Sequence, residues 1–297
     1  MTLTEQKQYR LGLTYVALSA LAWSSSGLFM RAIHADLMTI VATRGIVSGL
    51  ATFLFFLYLE RSRAWAILRA IRWPTIAATF FSAASMISGL GSIYYTSVAD
   101  AMVIYATVPF VTAGVAYLYI GEKPSRSTLI AASVAMAGVL VMLMDEGGGG
   151  SLLGKGLALV MTLTVAALAT IMRKHRDVHM LPAMFSSAWL CSLCTIWFAT
   201  PLALSGHDVG LVVLFAVVQN SLGLILYTFG SRWIPAADAS LLTALEVPLT
   251  PLWVWIFMDE VPARSTMIGG PIVLLALFGH IFAEIRRNRS TEVAVHA

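Results

Sequence analysis

Two stretches of the chain, residues 99–128 and 237–266, repeat one pattern in one register. Each opens on Ala-Asp-Ala (Ala99, Asp100, Ala101; Ala237, Asp238, Ala239) and closes on Glu-x-Pro-x-Arg-Ser-Thr (Glu122 to Thr128; Glu260 to Thr266). Between these landmarks runs an apolar segment interrupted near its middle by proline, Pro109 in the first copy and Pro248 and Pro251 in the second. Proline removes a backbone donor and frees the carbonyl four residues earlier, here those of Tyr105 and Ala244. In hydrocarbon such groups need a partner from a neighbouring helix, water or cargo. Interrupted helices at matched places in two halves of a membrane chain point to a binding site between the halves.

Composition makes the membrane reading firm. The 297 residues are 59% hydrophobic and 11% charged, against about 25% charged in soluble domains. Ten apolar stretches, centred on residues 11–31, 38–59, 75–97, 101–120, 127–144, 155–172, 181–204, 209–231, 237–258 and 265–285, mostly reach the ~20 residues a helix needs to cross the hydrocarbon core. They show no strict alternation, which excludes a β-barrel. The 138-residue offset between Asp100 and Asp238 divides the chain into two units of five helices. An odd number forces the second unit to lie upside down relative to the first. The expectation is an all-α polytopic membrane protein of ten transmembrane helices in two inverted five-helix repeats: residues 1–146, a glycine linker at 147–150, residues 151–286, and a disordered tail at 287–297.

Placing the N-terminus in the cytoplasm leaves only Arg31, Arg44, Lys155 and Arg264 of the 19 Lys and Arg residues off the cytoplasmic side. Both termini are then cytoplasmic. The net charge of +4 comes from this bias at helix ends, so nucleic acid is not an expected partner.

These ten helices, the two Ala-Asp-Ala openings, the Glu-x-Pro-x-Arg-Ser-Thr turns and the run Leu245-Glu246-Val247-Pro248 followed by Asp259-Glu260 resemble the EamA-type branch of the drug/metabolite transporter superfamily. The resemblance covers essentially the whole chain and is greatest to bacterial exporters of aromatic and other amino acids. It implies a multi-pass protein of the bacterial inner membrane that exports amino acids or similar small neutral or zwitterionic metabolites by alternating access. No cofactor and no metal are expected, and the oligomeric state stays open, a monomer being sufficient. Facilitated diffusion would need no titrating residue, whereas proton coupling would run through Glu246. The rival readings are a multidrug or other metabolite exporter and, more remotely, an intramembrane enzyme. The latter would require a mid-membrane nucleophile and base that the sequence does not offer.

Glu246 is the carboxylate placed nearest mid-membrane, nine residues into the ninth stretch from Ala237, or ~14 Å along a helix. Ionisable groups at that depth are costly and by default functional. A structural reading, with Glu246 satisfying backbone freed by the prolines or paired with Arg44, competes with it. Trp23, Ser24, Ser82, Ser85, Tyr105, Gln219, Asn220, Tyr227 and Thr243 are candidates to line a central cavity, against the alternative that the small and hydroxyl residues form packing seams. Pro109, Pro248 and Pro251 are candidate hinges. Asp100 and Asp238, at helix starts, read as caps, and Glu122 and Glu260 as turn elements. Arg44 reads as a snorkelling or ion-paired residue, with a substrate carboxylate as the alternative.

Overall fold

The computed structural model describes residues 3–121, 123–124, 126–143, 151–175, 177–234, 239 and 242–295. All regular structure among them is helical. Eight helices are long and apolar enough to cross a membrane. Two further apolar helices, Thr128–Val141 and Leu242–Met258, are shorter and coincide with the fifth and ninth expected spans. The linker 147–150, Glu122 and Asp238 lie outside the described residues.

In chain order the helices are α1 (Leu3–Ser24), α2 (Ser26–Ala32), α3 (Leu37–Glu60), α4 (Ala64–Arg69), α5 (Trp73–Tyr95), α6 (Val98–Tyr105), α7 (Val108–Ile120), α8 (Arg126–Leu143), α9 (Leu152–Lys174), α10 (Leu181–Thr195), α11 (Gly206–Leu214), α12 (Gly223–Gly230), α13 (Glu246–Met258) and α14 (Arg264–Val295). A π-helical segment, Phe215–Leu222, joins α11 to α12. The backbone of α14 is helical from Arg264 to Val295.

Side-chain caps fix several helix starts. Ser97 accepts from the Asp100 N–H at 3.0 Å, Ser151 from Gly154 at 3.0 Å, and Ser205 from Asp208 at 3.1 Å. Each satisfies an amide that the first helical turn leaves unpaired. Asp36 does the same for Thr39 at 2.9 Å. Partial burial pushes the Asp36 carboxyl up, but bonds from the Thr39 hydroxyl and amide and from Thr200 prevail and hold it below its ordinary value.

The bundle is held by seams of small residues. The broadest helix pairs are α5 with α9, α8 with α14, and α3 with α10. A Cβ on Gly45 of α3 would run into Ala188 and Ser192 of α10, and one on Gly138 of α8 into the Gly269 carbonyl and Val273 of α14. Lipid tails are as apolar as any side chain, so close backbone approach of this kind is what drives membrane helices together. Gly27 serves the same end for the short α2, which sits against Val98, Thr250 and Val254.

Candidate functional site

Four interruptions of regular helix shape the centre of the molecule. The first membrane span turns at Ser25 between α1 and α2, the fourth at Ala106 and Thr107 between α6 and α7, and the ninth at Leu245 just before α13, while the eighth carries the π segment. Proline explains two of them. Pro109 and Pro248 both stand in the first turn of the helix that follows the break, where a missing N–H leaves no bond unmade. They begin new helices rather than bend old ones. Pro251 lies inside α13, one turn further on.

A cavity of about 530 Å³ opens at these breaks, within the range of small-molecule sites. Of the residues singled out from sequence, Trp23, Tyr105, Pro109, Tyr227, Thr243 and Glu246 line it. The Trp23 and Tyr227 rings meet at 5.4 Å between centroids. Glu246 is the one acidic residue in the lining, and among the described residues no hydrogen-bond donor or cation is paired with its carboxylate. The rest of the wall is apolar: Ala106, Val108, Val165, Met172, Ala244, Val247, Leu277 and Ile281. Sequence reasoning missed these eight because an apolar side chain on a membrane helix reads the same whether it faces lipid or a cavity.

The other candidates sit elsewhere. Ser82 of α5 donates to Ser187 of α10 at 2.9 Å, Ser85 donates to the Ser82 carbonyl at 2.8 Å, and neither lines the cavity. Ser24 accepts from the Trp253 indole N–H at 2.9 Å and thereby ties the end of α1 to α13. Gln219 accepts from Arg44 Nη2 at 2.6 Å, and Asn220 is its half-buried neighbour in the π segment. The Arg44 guanidinium is buried over the Phe215 ring at 4.5 Å and, among the described residues, is not paired with Glu246.

At the Leu152 end of α9 charged side chains from several helices are paired. Arg31 Nε meets Glu260 Oε2 at 2.6 Å, its Nη2 donates to the Thr96 carbonyl at 2.9 Å, and Glu260 Oε1 accepts from the Val98 N–H at 2.8 Å. Glu260 therefore caps α6 across the molecule instead of its own turn, a carboxylate at the positive end of a helix. Asp100 caps nothing: Ser97 holds that place, and the buried Asp100 carboxylate accepts from the Thr266 hydroxyl and lies 3.8 Å from Lys155 Nζ. Asp100 and Thr266, which meet at this end, come from opposite copies of the repeated motif. The cavity runs the other way, to Met172 near the Lys174 end of α9, which along that helix is ~25 Å from Lys155.

A model of the EamA-like transporter family matches residues 10–144 and again 152–282. No curated protein sequence matches. Among solved structures, one crystal structure described only as that of a protein covers 93% of this chain and 98% of its own, with a TM-score of 0.65 at 16% identity. That likeness speaks to fold alone. The chain belongs to the EamA-like transporter family, whose members are transporters and not enzymes. It is a multi-pass integral membrane protein, and among the described residues no group of three or more His, Cys, Asp or Glu is placed to hold a metal ion.

Proposed function

We propose that this member of the EamA-like transporter family carries small neutral or zwitterionic amino acids, aromatic and aliphatic, outward across a bacterial inner membrane by facilitated alternating access. The observation that carries the reading is the cavity itself. It is apolar and aromatic, sits where the fourth and ninth spans break, and holds a single unpaired carboxylate, Glu246. A cargo with an ammonium group and an apolar side chain matches that lining, since a charge-assisted bond to Glu246 fixes one end and Trp23, Tyr105 and Tyr227 receive the other.

Two inverted five-helix units, residues 1–146 and 151–286, remain the best account of the architecture. Helix pairing supports it. Under exchange of the units the second span meets the seventh (α3 with α10), the fifth meets the tenth (α8 with α14), and the third-with-sixth pair (α5 with α9) maps onto the eighth-with-first pair (α12 with α1), all of them contacts in the fold. With both termini in the cytoplasm, as the Lys and Arg distribution favours, the charged closure is at the outer face and the cavity faces inward.

Proteoliposome uptake of radiolabelled phenylalanine, alanine, threonine and methionine, with and without a pH gradient, tests the reading. Saturable uptake without the gradient is the expected result. Glu246 also favours a second reading, proton-coupled export of cationic drugs or other metabolites, which uptake of organic cations only with the gradient would support.

A further inference from the structure

We propose that Arg44 is the carboxylate-recognising residue of the transport site, engaged when the end shut by Arg31 and Glu260 opens; this rests on the reading of the cargo as a small zwitterion. Arg44 lies seven residues inside α3 from Leu37, ~10 Å along the helix, and is 4% exposed. Its Nη2 finds a neutral acceptor, Gln219 Oε1, its plane rests on Phe215, and its Nε has no partner. No carboxylate among the described residues pairs with it. A guanidinium held in this way keeps its full charge inside the membrane domain, a costly arrangement unless something of opposite sign arrives.

The place of Arg44 relative to the cavity says what arrives. Gln219 and Gly223 are one turn apart on the eighth span, and Trp23 packs so closely over Gly223 that no Cβ would fit there. Trp23 also lines the cavity together with Glu246, so the acceptor that holds Arg44 stands one turn along the eighth span from a residue packed on the cavity wall. Trp23 lies in the last turn of α1, two residues before the break at Ser25, and Gln219 sits in a π segment, a local irregularity that often marks functional sites. Movement of Trp23 at this break would let a cargo carboxylate replace Gln219 as the acceptor and take two parallel N–H bonds from the guanidinium, with the ammonium left to Glu246.

The test compares proteoliposome kcat/KM for phenylalanine, 2-phenylethylamine and 3-phenylpropionate in the unmodified protein, Arg44→Gln and Arg44→Lys. Phenylalanine should exceed the amine by roughly 30-fold in the unmodified protein, by threefold or less in Arg44→Gln, and by an intermediate ratio in Arg44→Lys, where the charge stays but the planar fork is lost. A phenylalanine-to-amine ratio unmoved by both substitutions, or equal loss of both cargoes, overturns the assignment; if Arg44→Gln does not fold, Arg44→Lys decides alone by the same ratio. Uptake of 3-phenylpropionate but not phenylalanine, abolished in Arg44→Gln, would sink the amino-acid reading and keep Arg44, whereas uptake of the amine alone would sink both.

Discussion

The charges at the Lys155 end and the one carboxylate of the cavity lining are treated in opposite ways. At the Lys155 end, Arg31, Asp100, Lys155 and Glu260 are brought together with Thr96, Val98 and Thr266 until the carboxylates are matched by cations, hydroxyls and helix amides. At the Met172 end and in the centre, Glu246 faces an apolar cavity with no such partner. Matched charges lock helices against each other; an unmatched charge waits for a ligand. On the proposed reading, the difference makes one end the closure and the cavity the place of binding.

The largest effect should come from breaking the lock at its most buried point. Lys155→Met leaves the buried Asp100 carboxylate without its ammonium neighbour and should destabilise the fold by about 3 kcal/mol, read as a lowered melting temperature in detergent. The double variant Asp100→Asn with Lys155→Met should recover most of that loss, and a double variant as unstable as the single one would mean that the pair does not lock this end.

Next, Glu246→Gln should leave folding intact and lower amino-acid kcat/KM by roughly 10- to 100-fold, the worth of a charge-assisted bond. Unchanged transport with an unchanged pH profile would remove Glu246 from the site. A smaller change is expected from Arg31→Gln. Its ion pair with Glu260 is a quarter exposed on each side and so contributes about 1 kcal/mol at most. Labelling of a Thr96→Cys probe by a membrane-impermeant maleimide should rise up to about fivefold, and no rise would separate Arg31 from closure.

The smallest effect concerns the prolines. Because Pro109 and Pro248 occupy first turns, replacing either by Ala should spare folding and KM and slow kcat about threefold, through a looser break. Equal loss of folded protein and activity would show that the prolines hold structure instead of shaping motion.

Much of this was legible in the sequence, and the limits have physical causes. The helical class, the repeat and the breaks near Pro109 and Pro248 were readable because length, spacing and proline each have one local meaning. Five cavity residues were readable because aromatic or polar groups at membrane depth are conspicuous, and Pro109 because proline is. The break at Ser25 was not, since Trp23 to Ser26 carry neither Gly nor Pro. Ser82 and Ser85 lie away from the cavity lining, and a hydroxyl in a packing seam and one in a binding site are the same residue in the same spacing. The closure by Arg31, Glu260, Asp100 and Thr266 joins residues up to 229 positions apart, and no local pattern encodes such a pairing. Asp100 read as a cap because it starts a helix; Ser97, three residues earlier, took that place and freed the carboxylate for the lock.

Counterflow tests the central claim most directly. Liposomes holding the protein and loaded with unlabelled phenylalanine, with no ion gradient, should accumulate labelled phenylalanine transiently, and Ala244→Trp, which fills the cavity, should abolish the overshoot while the protein stays folded. Absence of counterflow in the unmodified protein, or its survival in folded Ala244→Trp, would contradict the claim that amino acids cross through this cavity.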